Sequence, residues 1–164
     1  MSQYTKKIHE YFAMYLQDLQ ALIAVKSISQ EDTAVQPFGK GVAECFDVFS
    51  KIAIRLGFQI EEDEGYAISA NIQANNDSSY IGILGHLDVV PEGDIKKWLF
   101  SPYTLTIENG IMYGRGVNDD KGPLLAQLYC IKILKDLGYN FLQNIKVIAG
   151  GAEETTWHCM EHYF

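Results

Sequence analysis

Imidazole and carboxylate side chains that could build a metal centre follow predicted strands of this 164-residue sequence in three places. The three pairs are His86 with Asp88, Asp119 with Asp120, and Glu153 with Glu154. Ligands of open α/β sheets bind at the carboxyl ends of strands, so three pairs in such positions favour one shared site. Imidazole and carboxylate ligands together suit zinc, manganese or cobalt.

The first pair lies in the segment YIGILGHLDVVP, where an apolar run predicts a buried strand that ends near His86. Residues two apart on a strand point to the same side, which places Asp88 beside His86. A carboxylate there can bond one imidazole nitrogen and leave the other free for a metal. A buried histidine paired with an aspartate only for stability is the alternative, and this pair alone does not decide between them.

The adjacent glutamates, Glu153 and Glu154, allow a division of labour. One carboxylate can bind a metal while the other accepts a proton from a metal-activated water. The alternative is an acidic pair at the start of a helix, where the helix dipole favours negative charge.

A second histidine motif occurs near residue 160, where His158, Glu161 and His162 spell H-x-x-E-H. This order is the inverted zincin signature, and on a helix the two histidines would lie one turn apart. That class needs a further downstream ligand, and only Tyr163 and Phe164 follow. Short patterns recur by chance, so a partly exposed helix surface is the preferred interpretation.

Hydrophobic periodicity predicts the elements that must position these residues. Helices are expected over residues 5–26 and 41–56, after Asp120 as far as Gly138, and from near Trp157. Strands are expected as a pair within residues 58–72, in the segment from residue 80, and over residues 144–150, with a hairpin turning at Asn109-Gly110. Loops are expected over residues 27–39 and 75–79. Alternating strands and helices predict an α/β sandwich with a largely parallel sheet.

Composition narrows the class of protein. The chain is 48% hydrophobic and 21% charged, as globular proteins are, and its net charge of -8 argues against a nucleic-acid partner. No apolar run has membrane-spanning length, and the first residues lack the apolar core of a signal peptide. The three cysteines, Cys45, Cys130 and Cys159, are widely spaced and predict reduced core residues of a cytoplasmic protein.

Three motifs together resemble a known family. The segments GHLDVVPEGD, GRGVNDDKGP and GGAEET are similar, in order and context, to those of the M20 zinc peptidases, and most of all to the PepV-like dipeptidases. Trp98 and the segment from Lys121 to Pro123 strengthen the resemblance. Gly85 stands where the family usually has serine, and Ala152 where asparagine or aspartate is common. Both positions are neighbours of the candidate functional residues.

The resemblance implies a role for each candidate residue. His86 would bind one metal ion, Asp119 would bridge two ions, and Glu154 would bind the other. The implied catalytic residues are Asp88, which would orient His86, and Glu153, the general base that would also protonate the leaving amine. Two Zn2+ ions are implied for the complete enzyme, with Mn2+ or Co2+ as alternatives.

The resemblance also implies a fold and a reaction. The fold would be a three-layer α/β/α sandwich with a mixed, largely parallel sheet, with a cis peptide bond between Asp119 and Asp120. Residues 1–164 would be the N-terminal part of a metallopeptidase catalytic domain, without the lid or dimerisation domain and the later ligands of longer members.

The implied reaction is metal-dependent hydrolysis of dipeptides or other short peptides, with the chain alone expected to be inactive. An M20-type deacylase or deacetylase and a non-catalytic remnant stay open as alternatives.

Overall fold

The computed structural model describes residues 1–30, 36–74 and 79–164. The helices in these ranges are α1 (Gln3–Ala24), α2 (Lys40–Arg55), α3 (Lys121–Asp136) and α4 (His158–Tyr163). The strands are β1 (Gln59–Asp63), β2 (Ala67–Ile72), β3 (Tyr80–His86), β4 (Thr106–Glu108), β5 (Ile111–Tyr113) and β6 (Asn144–Gly150). The predicted helices and strands are confirmed, whereas the loops expected over 27–39 and 75–79 lie partly outside the described residues. Among the described helices, none has the length and apolar character to cross a membrane.

The main sheet has the strand order β1-β2-β6-β3, and β4 pairs with β5 in a separate hairpin. Only β3 and β6 pair in parallel within the described residues, while β1 with β2 and β2 with β6 are antiparallel. The mixed α/β class is therefore confirmed, but the expected predominance of parallel pairing is corrected. The physical reason is the connection, because a tight turn joins β1 to β2, whereas the crossover through α3 allows β6 to run parallel to β3.

Helices lie on both faces of the main sheet. On one face, a Cβ added at Gly85 would lie 2.8 Å from Leu124 of α3. On the other face, a Cβ added at Gly150 would lie 2.8 Å from the sulfur of Cys159 of α4. The helices α1 and α2 contact each other, α1 contacts α3, and α2 and α3 both contact the sheet. The chain thus forms a three-layer arrangement, with α4 close to the end of β6.

The strand β3 departs from its prediction as a fully buried strand. Ile81 and Leu84 are each 49% exposed, because β3 pairs only with β6 and forms one edge of the described sheet. Cys130 also departs from prediction, since it is exposed on α3, while Cys45 and Cys159 are buried as expected.

A fully buried lysine fixes the start of α3. The Lys121 ammonium donates hydrogen bonds of 2.8 Å to the main-chain oxygens of Leu22 and Val25, at the end of α1. The Leu22 oxygen also accepts a hydrogen bond from the Val25 N–H and the Val25 oxygen one from the Ser27 N–H, so the ammonium adds a second donor to each carbonyl at the end of α1. Burial lowers the pKa of Lys121. This anchor holds the Asp119-Asp120 segment, which directly precedes Lys121, against the end of α1.

Candidate metal centre

His86 is the last residue of β3 and is 6% exposed. Its Nδ1 lies 3.1 Å from the main-chain oxygen of Asp88, which can only accept a hydrogen bond. Its Nε2 lies 3.0 Å from Oδ1 of Asp119 and 3.7 Å from Oε2 of Glu153. With the proton on Nδ1, neutral His86 presents the Nε2 lone pair to the acidic side chains.

Asp88 joins two parts of this site. Its side chain is fully buried, and its Oδ1 lies 3.4 Å from Nδ1 of His86. The two carboxylate oxygens also accept hydrogen bonds of 3.0 Å from the main-chain N–H groups of Glu153 and Glu154. The sequence predicted only the contact with His86. Backbone donors have no residue signature, so no pattern indicated that Asp88 also holds the chain after β6.

The pair Glu153 and Glu154 lies in a turn between β6 and α4. Since α4 begins at His158, the pair is not the first turn of a helix, and the helix-dipole alternative is wrong. Ligand atoms of His86, Glu153 and Glu154 all lie within 4.8 Å of one another. Asp119 approaches the same imidazole from the start of α3 but does not belong to that group, so residues distant in sequence meet around His86.

The site concentrates negative charge. Burial raises the pKa of Glu154, and the negative charge of Asp119 raises it further. Burial likewise raises the pKa of Asp120, with the charges of Asp119 and Glu153 adding to the effect. One imidazole faces several carboxylates, and each of these groups is a ligand of divalent transition metals. The donor set therefore fits a divalent metal ion, whose charge would offset this repulsion.

The two members of the Asp119-Asp120 segment face different parts of His86. The peptide bond between them is cis, as the resemblance implies. Asp119 faces the imidazole, whereas Oδ2 of Asp120 accepts a hydrogen bond of 3.2 Å from the main-chain N–H of His86. The sequence placed both aspartates near the site but did not predict this second contact.

The H-x-x-E-H histidines do not share a site. Nδ1 of His162 lies 2.8 Å from Oδ2 of Asp63, and its ring stacks on Tyr66. His158 is exposed, with Nε2 3.8 Å from Oε2 of Glu161. Across the described ranges, the grouping with metal-binding geometry is the one around His86. The structure thus favours the interpretation of this motif as helix surface.

Metal binding is expected to strengthen as the pH rises toward 9. Burial disfavours the imidazolium, but hydrogen bonding and charge from Asp88, with a further bond from Asp119, raise the pKa of His86 to about 9. A metal needs the neutral imidazole, so the apparent affinity should fall by up to about tenfold for each pH unit below that pKa. Cobalt titrations of the metal-free chain across this pH range measure the slope.

The control is His162→Ala, which removes a histidine outside the site and should leave the slope unchanged. An affinity that does not vary with pH would contradict the role of His86.

Without metal, the raised pKa of His86 has a second consequence, which concerns the stability of the fold. It stabilises the fold fully below the ordinary pKa of 6.5, and this contribution is lost as the pH rises through about 9.

Comparison with known proteins places the site in a family context. The model of the peptidase family M20/M25/M40 matches residues 82–163, which is half of the chain and includes every candidate residue above.

Two curated relatives match nearly the whole chain. YtjP of Bacillus subtilis, provisionally assigned as a dipeptidase, is 36% identical over 151 residues, or 91% of this chain and 32% of its own length. SSP1012 of Staphylococcus saprophyticus, with the same provisional assignment, is 36% identical over 160 residues, or 96% of this chain and 33% of its own length. The chain therefore spans about a third of the length of the curated relatives it matches.

Solved structures show the same fold. Human carnosine dipeptidase 1 superposes with a TM-score of 0.81 and 28% identity over 98% of this chain and 36% of its own. The M20 family metallo-carboxypeptidase Sso-CP2 of Sulfolobus solfataricus gives a TM-score of 0.70 and 32% identity over 85% of this chain and 31% of its own.

Proposed function

The chain belongs to peptidase family M20/M25/M40, and we propose that it takes part in the metal-dependent hydrolysis of dipeptides or other short peptides. One observation carries this proposal, namely the approach of Asp119 and Glu153 to Nε2 of His86, with Glu154 in the same group of possible ligands as His86 and Glu153. The names of the relatives support the substrate class, since YtjP and human carnosine dipeptidase 1 are both described as dipeptidases.

We propose His86, Asp119 and Glu154 as metal ligands, with Asp119 shared between two ions. Zinc suits this donor set, and manganese or cobalt would also bind to it. A divalent ion in this cleft would polarise the substrate carbonyl and make a nearby water more acidic. Asp88 keeps the imidazole oriented, with Nε2 facing the cleft.

Glu153 is the proposed general base. Its Oε2 lies 3.7 Å from Nε2 of His86, beside the proposed ligands, and its side chain is only partly buried. A carboxylate in that position can accept a proton from the attacking water and return it to the leaving amine. Its main-chain N–H is held by Asp88, which fixes the start of the side chain.

The proposal extends to organisation and location. Residues 1–164 are proposed as part of a catalytic domain, with further ligands for each ion supplied from outside this segment. A cytoplasmic location is proposed as well, supported by the three cysteines, which are free thiols.

A chimera tests the proposed function. This chain would replace the aligned third of YtjP, and the purified protein would be loaded with zinc, manganese or cobalt. We expect metal-dependent hydrolysis of dipeptides, and slower or no hydrolysis of N-acetyl amino acids. A chimera that is folded by circular dichroism and metal-loaded, yet cleaves no dipeptide, would refute the proposed substrate class.

A second measurement covers a chimera that does not fold. The 164-residue chain itself would be titrated with cobalt, and the visible absorption of the bound ion would report its ligands. His86→Ala should abolish this absorption, while His158→Ala should preserve it. Equal absorption in both variants would place the metal elsewhere and refute the proposed centre.

A further inference from the structure

Asp120 contacts β3 from outside the sheet. Its Oδ2 accepts a hydrogen bond of 3.2 Å from the main-chain N–H of His86. The next N–H, that of Leu87, donates to Gly150 on β6 at 2.9 Å. Neighbouring N–H groups along a strand point to opposite edges, so the His86 N–H points to the edge of β3 that has no strand beside it in the described structure. Asp120 therefore takes the place of a neighbouring strand at this position.

Gly85 makes room for that carboxylate. A Cβ added at Gly85 would lie 2.3 Å from Oδ2 of Asp120, well inside the contact distance of two heavy atoms. It would also lie 2.8 Å from Cδ1 of Leu124, a flexible side-chain end that can move aside. A Cβ at position 85 therefore requires the Asp120 carboxylate or the end of β3 to shift, which would lengthen or break the bond to the His86 N–H. The space left by the missing side chain of Gly85 is thus occupied by the Asp120 carboxylate.

Two residues of the segment 119–121 contact His86, and the third residue anchors the segment to α1. Asp119 approaches the imidazole at 3.0 Å, Asp120 bonds the main chain of the same residue, and Lys121 is tied to the end of α1. The position of Nε2 relative to Asp119 therefore depends on where Asp120 holds the end of β3.

We infer that Asp120 is a positioning residue of the metal centre, and that its action requires the absence of a side chain at Gly85. Because Oδ2 of Asp120 accepts from the His86 N–H, the inference gives this carboxylate a hydrogen-bonding role beside the proposed ligands. The inference rests on the proposed function, since it concerns the distance between His86 and Asp119 as metal ligands. Residues that orient ligands through hydrogen bonds typically change metal affinity by about 10–100-fold when removed.

A double-mutant cycle on the 164-residue chain tests the inference, with cobalt affinity as the first readout. Gly85→Ala and Asp120→Ala should each weaken cobalt binding by about 10-fold or more. The double variant should bind no worse than Asp120→Ala alone, because no carboxylate remains to be displaced. Asp120→Asn keeps an oxygen acceptor and should recover most of the affinity. Gly82→Ala is the matched control, since its added Cβ meets its nearest neighbour at an ordinary 3.5 Å.

The second readout is hydrogen exchange of the His86 amide in metal-free protein. Exchange should accelerate in Asp120→Ala and Gly85→Ala, and stay slow in Asp120→Asn and Gly82→Ala. This readout separates two failures. A YtjP chimera that binds no cobalt, although the chain shows this exchange pattern, refutes the metal centre and keeps the hydrogen bond, whereas unchanged exchange in Asp120→Ala overturns the inference.

The cycle also covers a variant that does not fold. If Gly85→Ala unfolds the chain, the clash with the carboxylate predicts that adding Asp120→Ala restores folding. A double variant that stays unfolded overturns the inference. A Gly85→Ala change that lowers cobalt affinity equally with and without Asp120 also overturns it.

Discussion

Replacing Asp88 by alanine is expected to lower the free energy of unfolding by roughly 3–5 kcal/mol, because a buried charge pair and two hydrogen bonds are lost together. The Asp88 side chain is fully buried, so its removal leaves a cavity in the protein interior. Its loss leaves the N–H groups of Glu153 and Glu154 without their acceptor. In the unchanged chain Asp88 raises the pKa of His86 to about 9, so the variant also loses this stabilisation of the charged imidazole near neutral pH.

Urea unfolding of the metal-free chain measures this loss. Asp47→Ala is the matched control, because Asp47 is exposed on α2, and such surface changes stay within about 0.5 kcal/mol. Asp88→Asn should fall between the two, since the amide keeps one acceptor but turns an NH2 group toward the second N–H. An Asp88→Ala variant as stable as Asp47→Ala would mean that these hydrogen bonds do not hold the site together.

Local patterns were enough to predict the helices and strands. Asn109-Gly110 shows why, since both residues have positive φ angles of 51° and 79°, which a two-residue hairpin turn requires. The amphipathic stripe of α2 was also confirmed, with Val42, Cys45 and Phe49 buried in the core. Such features depend on residues close together in the chain, so they can be predicted from the sequence.

Sheet order and exposure were harder to predict, because they depend on contacts between distant segments. The apolar run of Ile81, Ile83 and Leu84 predicts a strand, but it does not specify how many strands lie beside it. The structure places β3 at an edge, with Ile81 and Leu84 half exposed. The same limit explains why parallel pairing was expected to dominate a sheet in which β2 runs antiparallel to both of its neighbours.

The candidate site divides in the same way. The acidic and imidazole side chains could be found from residue type, but the predicted strand end is wrong for Asp119 and Asp120, which lie at the start of α3. Of the contacts that position them, only that of Asp88 with His86 could be predicted, because the other contacts of Asp88 and those of Asp120 are with main-chain N–H groups, and those of Lys121 are with main-chain oxygens. Every residue carries such groups, so their pairing becomes visible only when the fold is known. The residue types of the candidate site were therefore predictable, whereas most of the contacts that hold them in place were not.

Glu153 and Glu154 are expected to fail in different ways when each is replaced by alanine in the YtjP chimera. Glu153→Ala should lower kcat by about 10²–10⁴-fold, the usual contribution of a general base, and leave the metal content nearly unchanged. Glu154→Ala should lose metal as well as activity, because a ligand holds the ion itself. Glu161→Ala, an exposed change on α4, serves as the control and should alter neither quantity.

Elemental analysis beside the kinetic assay distinguishes the two roles. The geometry makes this test demanding, because both glutamates have an oxygen within 4.8 Å of a ligand nitrogen of His86. Each of them could therefore reach an ion in the cleft. Burial and the negative charges of Asp119 and Glu153 raise the pKa of Glu154, and a bound metal ion would relieve this repulsion. Equal metal loss in both variants would make Glu153 a ligand and leave the general base to be found elsewhere. Metal loss in Glu153→Ala alone would exchange the two roles.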